Sequence, residues 1–290
     1  MNILFLNTGI PNYGPDSIYI GLKRLGHIVE DRPRKKSLHS NTATYRFGTE
    51  VCGDFGMSVV DKPDLIFCGT RWKEPISEPF IVYDGRDKGK IDDRLYQSAF
   101  LYFKRDFIEE YKSLPKVRPL PQGIVQNQNS FGIPSSKREI DVSFTLFPHR
   151  HVPIRGKILE FFKSIKGIKT FSGFQSFSEY QKILDMSKIS ISLRGVAWDT
   201  YRYWEIVHHG AILCSEYLPI TILNNSEDEA IFFDSDNPAD LEEKLRYYLS
   251  DLDRLDRMQA KAWEKFVKFH TAKARAKYVL QEVEKYYETL

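Results

Sequence analysis

Cysteine is scarce in this sequence and follows no pattern. The three cysteines, Cys52, Cys68 and Cys214, lie far apart and show none of the short spacings that zinc sites use. An odd number of scattered thiols also provides no framework of disulfides. The sequence therefore argues against a disulfide-stapled secreted domain, and it predicts a protein of the reducing cytoplasm.

Long apolar runs are missing as well. No stretch reaches the roughly 18–20 apolar residues that cross a bilayer, so we expect no membrane span. The first ten residues have neither a basic segment nor a small-residue cleavage site, and they predict a buried first strand rather than a secretory leader.

The sequence also lacks a strong charge and a dinucleotide fingerprint. A net charge of +3 is too small to indicate nucleic acid binding by itself. The first predicted strand is not followed by G-x-G-x-x-G, which weighs against a nicotinamide-dependent enzyme.

What the sequence does contain is an alternation of short apolar runs with amphipathic segments, arranged in two blocks. Residues 2–6 and 64–68 are apolar almost throughout, as strands buried on both faces of a parallel sheet are. The alternation predicts an α/β protein with two doubly wound, Rossmann-like parallel sheets and helices at the C-terminal end.

The composition also predicts where the domains begin and end. We expect a first, acceptor-side domain over residues 1–123 and a linker rich in proline, glycine, asparagine and glutamine over residues 124–138. A second, nucleotide-binding domain is expected over residues 139–270. A last helix over residues 271–290 is expected to pack back on the first domain.

Ligands of doubly wound folds bind at the carboxyl ends of the strands, so the cleft between two such domains is the predicted site. The loop after the first strand contains Gly9, Tyr13 and Gly14, and a loop with glycines can approach a diphosphate or an acceptor closely. A helix capped by Asp16 is predicted to follow this loop.

The most informative segment is a helix predicted over residues 200–209, with Asp199 as its N-cap and Gly210 as its end. Arg202 and Glu205 are three residues apart and therefore share one face of this helix. The pair has the spacing to hold the two ends of a nucleoside diphosphate. An ordinary ion pair on a solvated face is the alternative reading.

The N-terminus of this helix, at Asp199, Thr200 and Tyr201, offers backbone N–H groups to a phosphate, and Arg202 adds a guanidinium fork. The carboxylate of Glu205, one turn further on, can accept two hydrogen bonds from a ribose diol. All five residues are therefore candidates for donor binding.

Further candidates lie at other predicted strand ends. Arg150 and Arg155 lie between a strand and its helix, where either side chain could neutralise a leaving diphosphate. Arg194 follows a strand, where its side chain could contact a phosphate or the sugar. The turn at Gly173 offers a resting place for a nucleobase. For Arg150 and Arg155 a solvated basic loop remains the alternative.

The histidines and acids near the predicted strand ends are the candidates for a metal site and for the catalytic base. His149 and His151 alone form an incomplete metal site, so we expect no metal. Transfer to a hydroxyl needs a base or a donor phosphate acting as one. Asp84 and Asp87 follow a buried strand and are the candidates, although a solvated turn explains them equally well.

Three segments resemble the donor-site region of group 1 glycosyltransferases. They are Ser187–Leu193, Tyr201–Glu205 and Gly210–Leu213. The CgeB-like, spore-maturation type is the branch that they resemble best. The resemblance spans roughly residues 180–280 and includes the string 237–241 and the closing helix signature 269–275.

The resemblance implies a GT-B fold, a nucleotide-sugar donor of the UDP or GDP type and no obligatory metal or other cofactor. It assigns Glu205 to the ribose and Arg202 to the diphosphate. Many retaining relatives carry a glutamate eight residues before this one, where the present chain has Ala197. Stereochemistry and sugar preference are therefore not carried over from those relatives.

The acceptor is expected to be a hydroxyl of a saccharide, a protein or a small molecule. DNA is the alternative acceptor, because residues 32–36, Arg46 and residues 71–73 contain basic side chains that suit phosphate contacts. A nucleotide-sugar-binding protein without turnover is the third reading, and it is supported only by Ala197.

Overall fold

The computed structural model describes residues 1–8, 12–35, 58–87, 90–125, 132–174, 176–221 and 228–289. The chain folds into two compact units. Unit 1 comprises Met1–Asn127, Ile220–Leu223 and Lys268–Leu290, and unit 2 comprises Gln128–Pro219 and Asn224–Val267. Each unit is built around one parallel sheet, as expected for two Rossmann-like domains.

The sheet of unit 1 has six strands in the order β2-β1-β3-β4-β5-β6, and every neighbouring pair is parallel. Its strands are β1 (Asn2–Leu6), β2 (Ile28–Arg32), β3 (Leu65–Gly69), β4 (Phe80–Asp84), β5 (Leu101–Lys104) and β6 (Val117–Pro119). β3, β4 and β5 are buried along their whole length, which agrees with the continuous apolar runs in their sequences.

The helices of unit 1 are α1 (Tyr13–Arg24), α2 (Asp93–Ser98) and α8 (Ala272–Glu288). α8 packs against α1 at Gly21, where a Cβ atom would lie only 2.1 Å from the carbonyl oxygen of Ala272. α8 also reaches the sheet through Glu282, which accepts a hydrogen bond of 2.8 Å from Nε of Arg118. The last helix of the chain is therefore part of unit 1.

The sheet of unit 2 has five parallel strands in the order β11-β10-β9-β7-β8. They are β7 (Ile140–Phe144), β8 (Thr170–Ser172), β9 (Ser187–Ser192), β10 (Ile212–Glu216) and β11 (Ala230–Phe233). The helices of this unit are α3 (Ile154–Ser164), α4 (Phe177–Met186), α5 (Tyr201–His208), α6 (Pro238–Leu249) and α7 (Leu252–Phe269), whose last residues belong to unit 1.

Apolar side chains from helices and strands form a separate core in each unit. The core of unit 2 joins inward residues of the sheet to one face of α3, α6 and α7, among them Val142, Ile191, Phe162, Leu245 and Met258. Burying side chains of this kind contributes roughly 1.5–3 kcal/mol each. Each core fixes the strands of its sheet in place. It therefore also positions the residues that follow those strands.

Both ends of the predicted linker are built into the units. Ile124 forms an isolated parallel bridge with Thr271 in unit 1. Arg138 is buried in unit 2, and its guanidinium donates hydrogen bonds to backbone carbonyls that include those of Leu184, Ser187 and His209. Arg138 thus satisfies carbonyl groups at the ends of α4 and α5.

Two helix starts differ from the sequence prediction. Asn12 rather than Asp16 is the N-cap of α1, and Asp16 lies in the first turn, where its carboxylate accepts from the Asn12 N–H at 2.9 Å. Thr200 rather than Asp199 is the N-cap of α5. α2 and β11, which the sequence interpretation did not identify, are short elements with little periodicity to reveal them.

Within the described ranges, no helix combines the length and apolar character that crossing a bilayer requires. The same residues contain no cluster of three or more histidine, cysteine, aspartate or glutamate side chains arranged to hold a metal ion.

Candidate functional site

The order of strands in unit 2 reverses between β7 and β9, so the chain leaves these neighbouring strands in opposite directions. Ligands of open α/β sheets bind at the carboxyl edge beside such a reversal. The residues that follow β7 and β9, together with α4 and α5, carry most of the side chains predicted for the donor.

Glu205 lies on the inner side of α5, where only 7% of its surface is exposed. Its Oε2 atom accepts a hydrogen bond of 2.7 Å from the hydroxyl of Tyr180 on α4. Burial next to the negative charge of Glu205 raises the pKa of Tyr180 well above its ordinary value, so the phenol keeps its proton. The hydroxyl thus fixes one carboxylate oxygen.

Arg202 lies on the same side of α5 and also contacts Tyr180. Its guanidinium carbon is 5.2 Å from the centre of the Tyr180 ring, within cation–π distance. Its Nε atom is buried and has no hydrogen-bond partner among the described residues. Arg202 and Glu205 therefore converge on one tyrosine, and the simple ion pair on a solvated face is not what the structure contains.

A second half-buried guanidinium, that of Arg155, lies near that of Arg202. Arg155, at the start of α3, donates from Nε to the carbonyl oxygen of Arg194 at 2.9 Å. Burial lowers the pKa of Arg155 to about 10, and the positive charge of Arg202 acts in the same direction. Two desolvated like charges repel each other, so an anion bound beside them would be favoured.

Arg194 follows β9 and is tied to the end of β10. Its N–H and its guanidinium donate to the two oxygens of Glu216 at 2.7 and 3.0 Å. The guanidinium also lies 4.8 Å from the centre of the Trp198 ring. The positive charge of Arg194 is therefore already paired with Glu216, and the side chain holds the residues after β9 against the end of β10.

The three residues at the start of α5 have different partners. The carboxylate of Asp199 accepts from the indole N–H of Trp204 at 2.8 Å, and the Thr200 hydroxyl lies 3.3 Å from that of Ser192. Tyr201 is the first helical residue and is half-buried. Ala197, where many retaining relatives have a glutamate, is 7% exposed.

Aromatic rings continue from Tyr180 along the carboxyl ends of β8 and β7. The ring centres of Tyr180 and Phe174 are 5.2 Å apart, and those of Phe174 and Phe147 are 4.9 Å apart. Phe147 is 52% exposed. Gly173 has a φ of +87° and borders open space, so the turn before Phe174 leaves room beside this row of rings.

The loop between β7 and α3 places Arg150 in solvent. Its Nε donates to Nε2 of His151 at 2.9 Å, and the rings of His149 and His151 lie 5.5 Å apart. All three side chains are exposed. The structure does not bring Arg150 to the cluster around Tyr180, so its role in donor binding stays a prediction.

In unit 1, Asp84 ends β4 and is completely buried. Its Oδ1 accepts from the N–H and Nε of Arg86, and its Oδ2 accepts from Arg86, Tyr102 and Lys104 at 2.6–3.0 Å. Burial raises the pKa of Asp84, but the hydrogen bonds from Arg86 and the charge of Lys104 outweigh it and hold the pKa below its ordinary value. Such a carboxylate is a weak base.

Asp87 is the more accessible of the two acids predicted as the base. Its side chain is 51% exposed and forms an ion pair with Arg105. One carboxylate oxygen is engaged by this pair, and the side chain as a whole is open to solvent.

Of the three residues predicted to form a loop after β1, Gly9 lies outside the described residues. Tyr13 and Gly14 are in the first turn of α1 rather than in a loop. The Tyr13 hydroxyl accepts from the Val125 N–H at 3.3 Å. Gly14 lies beside Tyr83, where a Cβ atom would come within 2.7 Å of the phenol oxygen.

Sequence reasoning missed Tyr180, the residue that joins Arg202 to Glu205. Tyr180 lies at helical spacing with Ile183 and Leu184, and all three are buried. A tyrosine in such a stripe reads as part of the core, so no pattern along the chain indicates its polar role.

The sequence of residues 146–281 matches the family described as glycosyl transferase-like. The matched segment includes Arg155, Tyr180, Arg202 and Glu205. The sequence matches no curated protein significantly.

Several solved structures share the fold over the whole chain. A glycosyltransferase from Rickettsia africae ESF-5 has a TM-score of 0.64 at 10% identity, with 100% of this chain and 99% of that chain covered. An α-glucosyltransferase in complex with UDP-glucose and DNA containing an abasic site has a TM-score of 0.62 at 13% identity, with 97% and 98% covered.

Anabaena Alr3699/HepE, in complex with UDP and glucose, has a TM-score of 0.60 at 9% identity, with 98% of this chain and 100% of that chain covered. At such low identity these likenesses show a shared GT-B fold.

Proposed function

We propose that this chain is a glycosyltransferase that takes a sugar from a nucleoside diphosphate, of the UDP type, and transfers it to a hydroxyl. The observation that carries the proposal is the cluster around Tyr180, which combines a buried carboxylate with two half-buried guanidiniums at the carboxyl edge of a Rossmann-like sheet. The match of residues 146–281 and the UDP bound by proteins of the same fold support it.

Each part of the donor has a partner of suitable chemistry. Oε1 of Glu205 accepts from the ribose diol, while Tyr180 holds Oε2. Arg202 and Arg155 face the diphosphate, whose negative charge relieves their mutual repulsion. The nucleobase rests on the exposed ring of Phe147 or on Phe174, next to the open turn at Gly173.

In the reaction, the bond between the sugar carbon and the diphosphate oxygen breaks, and a bond from that carbon to the acceptor oxygen forms. The diphosphate leaves with an additional negative charge, which the two arginines stabilise. The acceptor proton goes to Asp87 or to a donor phosphate. We assign no metal to this step. Within the glycosyltransferases, the narrower family that we propose for this chain is the CgeB-like, spore-maturation branch.

Nucleotide binding tests the donor site directly. A ligand present at a hundred times its dissociation constant adds about 2.7 kcal/mol to stability, which a thermal melt detects. We expect UDP to stabilise the wild type and Glu205→Ala to abolish this stabilisation. Glu160→Gln, which removes an exposed carboxylate on α3 of the same unit, is the control. The absence of stabilisation by UDP, GDP or ADP would refute the proposal.

Transfer to a base in DNA is the second candidate, since an α-glucosyltransferase of the same fold is seen with DNA. Arg34, Arg71 and Lys73 are exposed in unit 1 and suit phosphate contacts. Lys35 of the same basic run is buried against Asp16 instead. Retention of a duplex that falls steeply with salt, and transfer of sugar to it, would favour this candidate.

A further inference from the structure

A polar hollow opens at the carboxyl edge of the sheet of unit 1. It lies where the strand order reverses between β1 and β3, the position at which doubly wound sheets bind ligands. Most of its lining residues lie at the carboxyl ends of β1, β3 and β4 or directly after them. The hollow is open to solvent, and the ≈ 420 Å³ of space among its lining residues includes part of that solvent.

The floor of the hollow contains an acceptor that lacks a donor. Asn7 follows β1 and is 4% exposed, and its Oδ1 atom has no hydrogen-bond partner among the described residues. Its Nδ2 atom reaches the Phe5 carbonyl at 3.4 Å. A buried oxygen without a donor costs about 1–3 kcal/mol, so a ligand hydroxyl that donates to it would be favoured.

The charge of the lining residues is positive. In the described part of the chain they include Lys35, Arg71 and Arg86 and no acidic residue. Lys35 pairs with Asp16 and Arg86 pairs with Asp84, so these two charges are compensated.

Arg71 is exposed, follows β3, and forms no ion pair with any residue in the described part of the chain. Its guanidinium is therefore available to an anion. α1 begins at the hollow as well, because its N-cap Asn12 is a lining residue, and a helix N-terminus favours negative charge.

Tyr83 gives the hollow a fixed wall. Its ring lies between Gly14 and Gly85, where Cβ atoms would come within 2.7 Å and 2.9 Å of ring or hydroxyl atoms. Only glycine leaves this space free, so the backbone on both sides holds the ring in place. A fixed aromatic wall beside polar groups suits a ring-shaped polyol.

We propose that this hollow binds the acceptor, and that the acceptor is a small polyol carrying a phosphate or a carboxylate. A hydroxyl of the polyol donates to Asn7, and the anionic group binds Arg71. The role as acceptor rests on the proposed function, whereas the binding chemistry does not depend on it.

The test measures sugar binding by calorimetry without nucleotide, using glucose 6-phosphate, glucuronate and glucose. We expect one or both anionic sugars to bind about tenfold more tightly than glucose, a difference of about 1.4 kcal/mol. Comparison of the two anionic sugars separates phosphate from carboxylate. Arg71→Gln should remove the preference, and Lys62→Gln, an exposed charge at the amino end of β3, should keep it.

Asn7→Ala should weaken the binding of the preferred sugar about fivefold, because the sugar loses its hydrogen bond to Oδ1. The preference for an anionic sugar over glucose should remain, because Arg71 is unchanged. Equal affinities for glucose and both anionic sugars, or the same effect of Arg71→Gln and Lys62→Gln, would overturn the proposal. Displacement of the sugar by a DNA duplex, with transfer to that duplex, would overturn it in favour of a polymer.

Failure of this proposal can be told from failure of the proposed function. If UDP binds through Glu205 but no anionic sugar binds, the acceptor assignment falls and the glycosyltransferase stands. If anionic sugars bind through Arg71 but no nucleoside diphosphate binds, the hollow is supported as a binding site, and its role as an acceptor site falls with the proposed function.

Discussion

The hydroxyl of Tyr180 donates a hydrogen bond of 2.7 Å to Oε2 of Glu205, and the Tyr180 ring lies 5.2 Å from the guanidinium carbon of Arg202. One buried tyrosine thus positions both residues that we assign to the nucleotide. In the proposed donor site, the second carboxylate oxygen of Glu205 accepts from the ribose.

Removal of the Tyr180 hydroxyl should therefore weaken nucleotide binding without unfolding the protein. We expect Tyr180→Phe to raise the Kd for UDP about tenfold, because hydrogen bonds to charged groups are worth about 1.5–3 kcal/mol and Glu205 loses its orientation. Calorimetry measures the effect. Tyr247→Phe deletes the same atom on exposed α6 and should change nothing. Equal affinities of all three proteins would contradict the positioning role.

The two acids considered as the base should behave differently when neutralised. Asp84→Asn leaves buried Lys104 without its counter-charge, and the loss of one partner of a buried pair costs roughly 3–5 kcal/mol. Asp87→Asn breaks an ion pair whose acid is half-exposed. It should cost less than about 1 kcal/mol, because the buried Arg105 keeps Asp106 as a second partner. Urea unfolding of both variants checks this.

The activity of Asp87→Asn then tests catalysis. If Asp87 is the base, kcat should fall by roughly 10²–10⁴ while the unfolding free energy stays near that of the wild type. A full rate in this variant would leave the donor phosphate as the proton acceptor.

Close packing of α1 on α8 makes Gly21 sensitive to any side chain. A Cβ atom there would lie 2.1 Å from the Ala272 carbonyl oxygen and 2.7 Å from the Cβ atom of Ala276. We expect Gly21→Ala to destabilise the protein by about 1–3 kcal/mol or more, because the backbones of α1 and α8 must move apart. Gly156→Ala on α3 meets no atom within 4 Å and should be neutral or stabilising. Chemical denaturation distinguishes the two.

His208 on α5 should make stability depend on pH. Burial, with a smaller contribution from His209, lowers the pKa of His208 from 6.5 to about 4, and Asp185 opposes this shift. Between pH 6.5 and 4 the unfolded chain binds a proton that the folded chain does not. The unfolding free energy should therefore fall as the pH falls through this window.

Replacement of this histidine should flatten the pH dependence. His208→Gln should show a smaller loss of stability between pH 7 and pH 5 than the wild type, measured by urea unfolding at both values. His151→Gln, in the exposed loop before α3, should keep the wild-type slope. An unchanged slope in His208→Gln would mean that other groups cause the acid sensitivity.

The alternation of apolar runs and amphipathic segments was sufficient to predict the two parallel sheets, since strands buried on both faces must be apolar throughout. Spacing alone also placed Arg202 and Glu205 on one face of a helix. Local preferences were less decisive at helix ends, where Asn12 and Thr200 took the N-cap positions that were predicted for Asp16 and Asp199.

Only the tertiary structure decided which polar residues are partners. Tyr180 reads as a core residue along the chain, yet it meets Glu205 twenty-five residues away because α4 and α5 pack on the same sheet. Asp84 reads as an open turn residue, yet β5 supplies Tyr102 and Lys104 to its oxygens. Periodicity encodes the face of each element, whereas hydrogen bonds between elements depend on how the strands are ordered in the sheet.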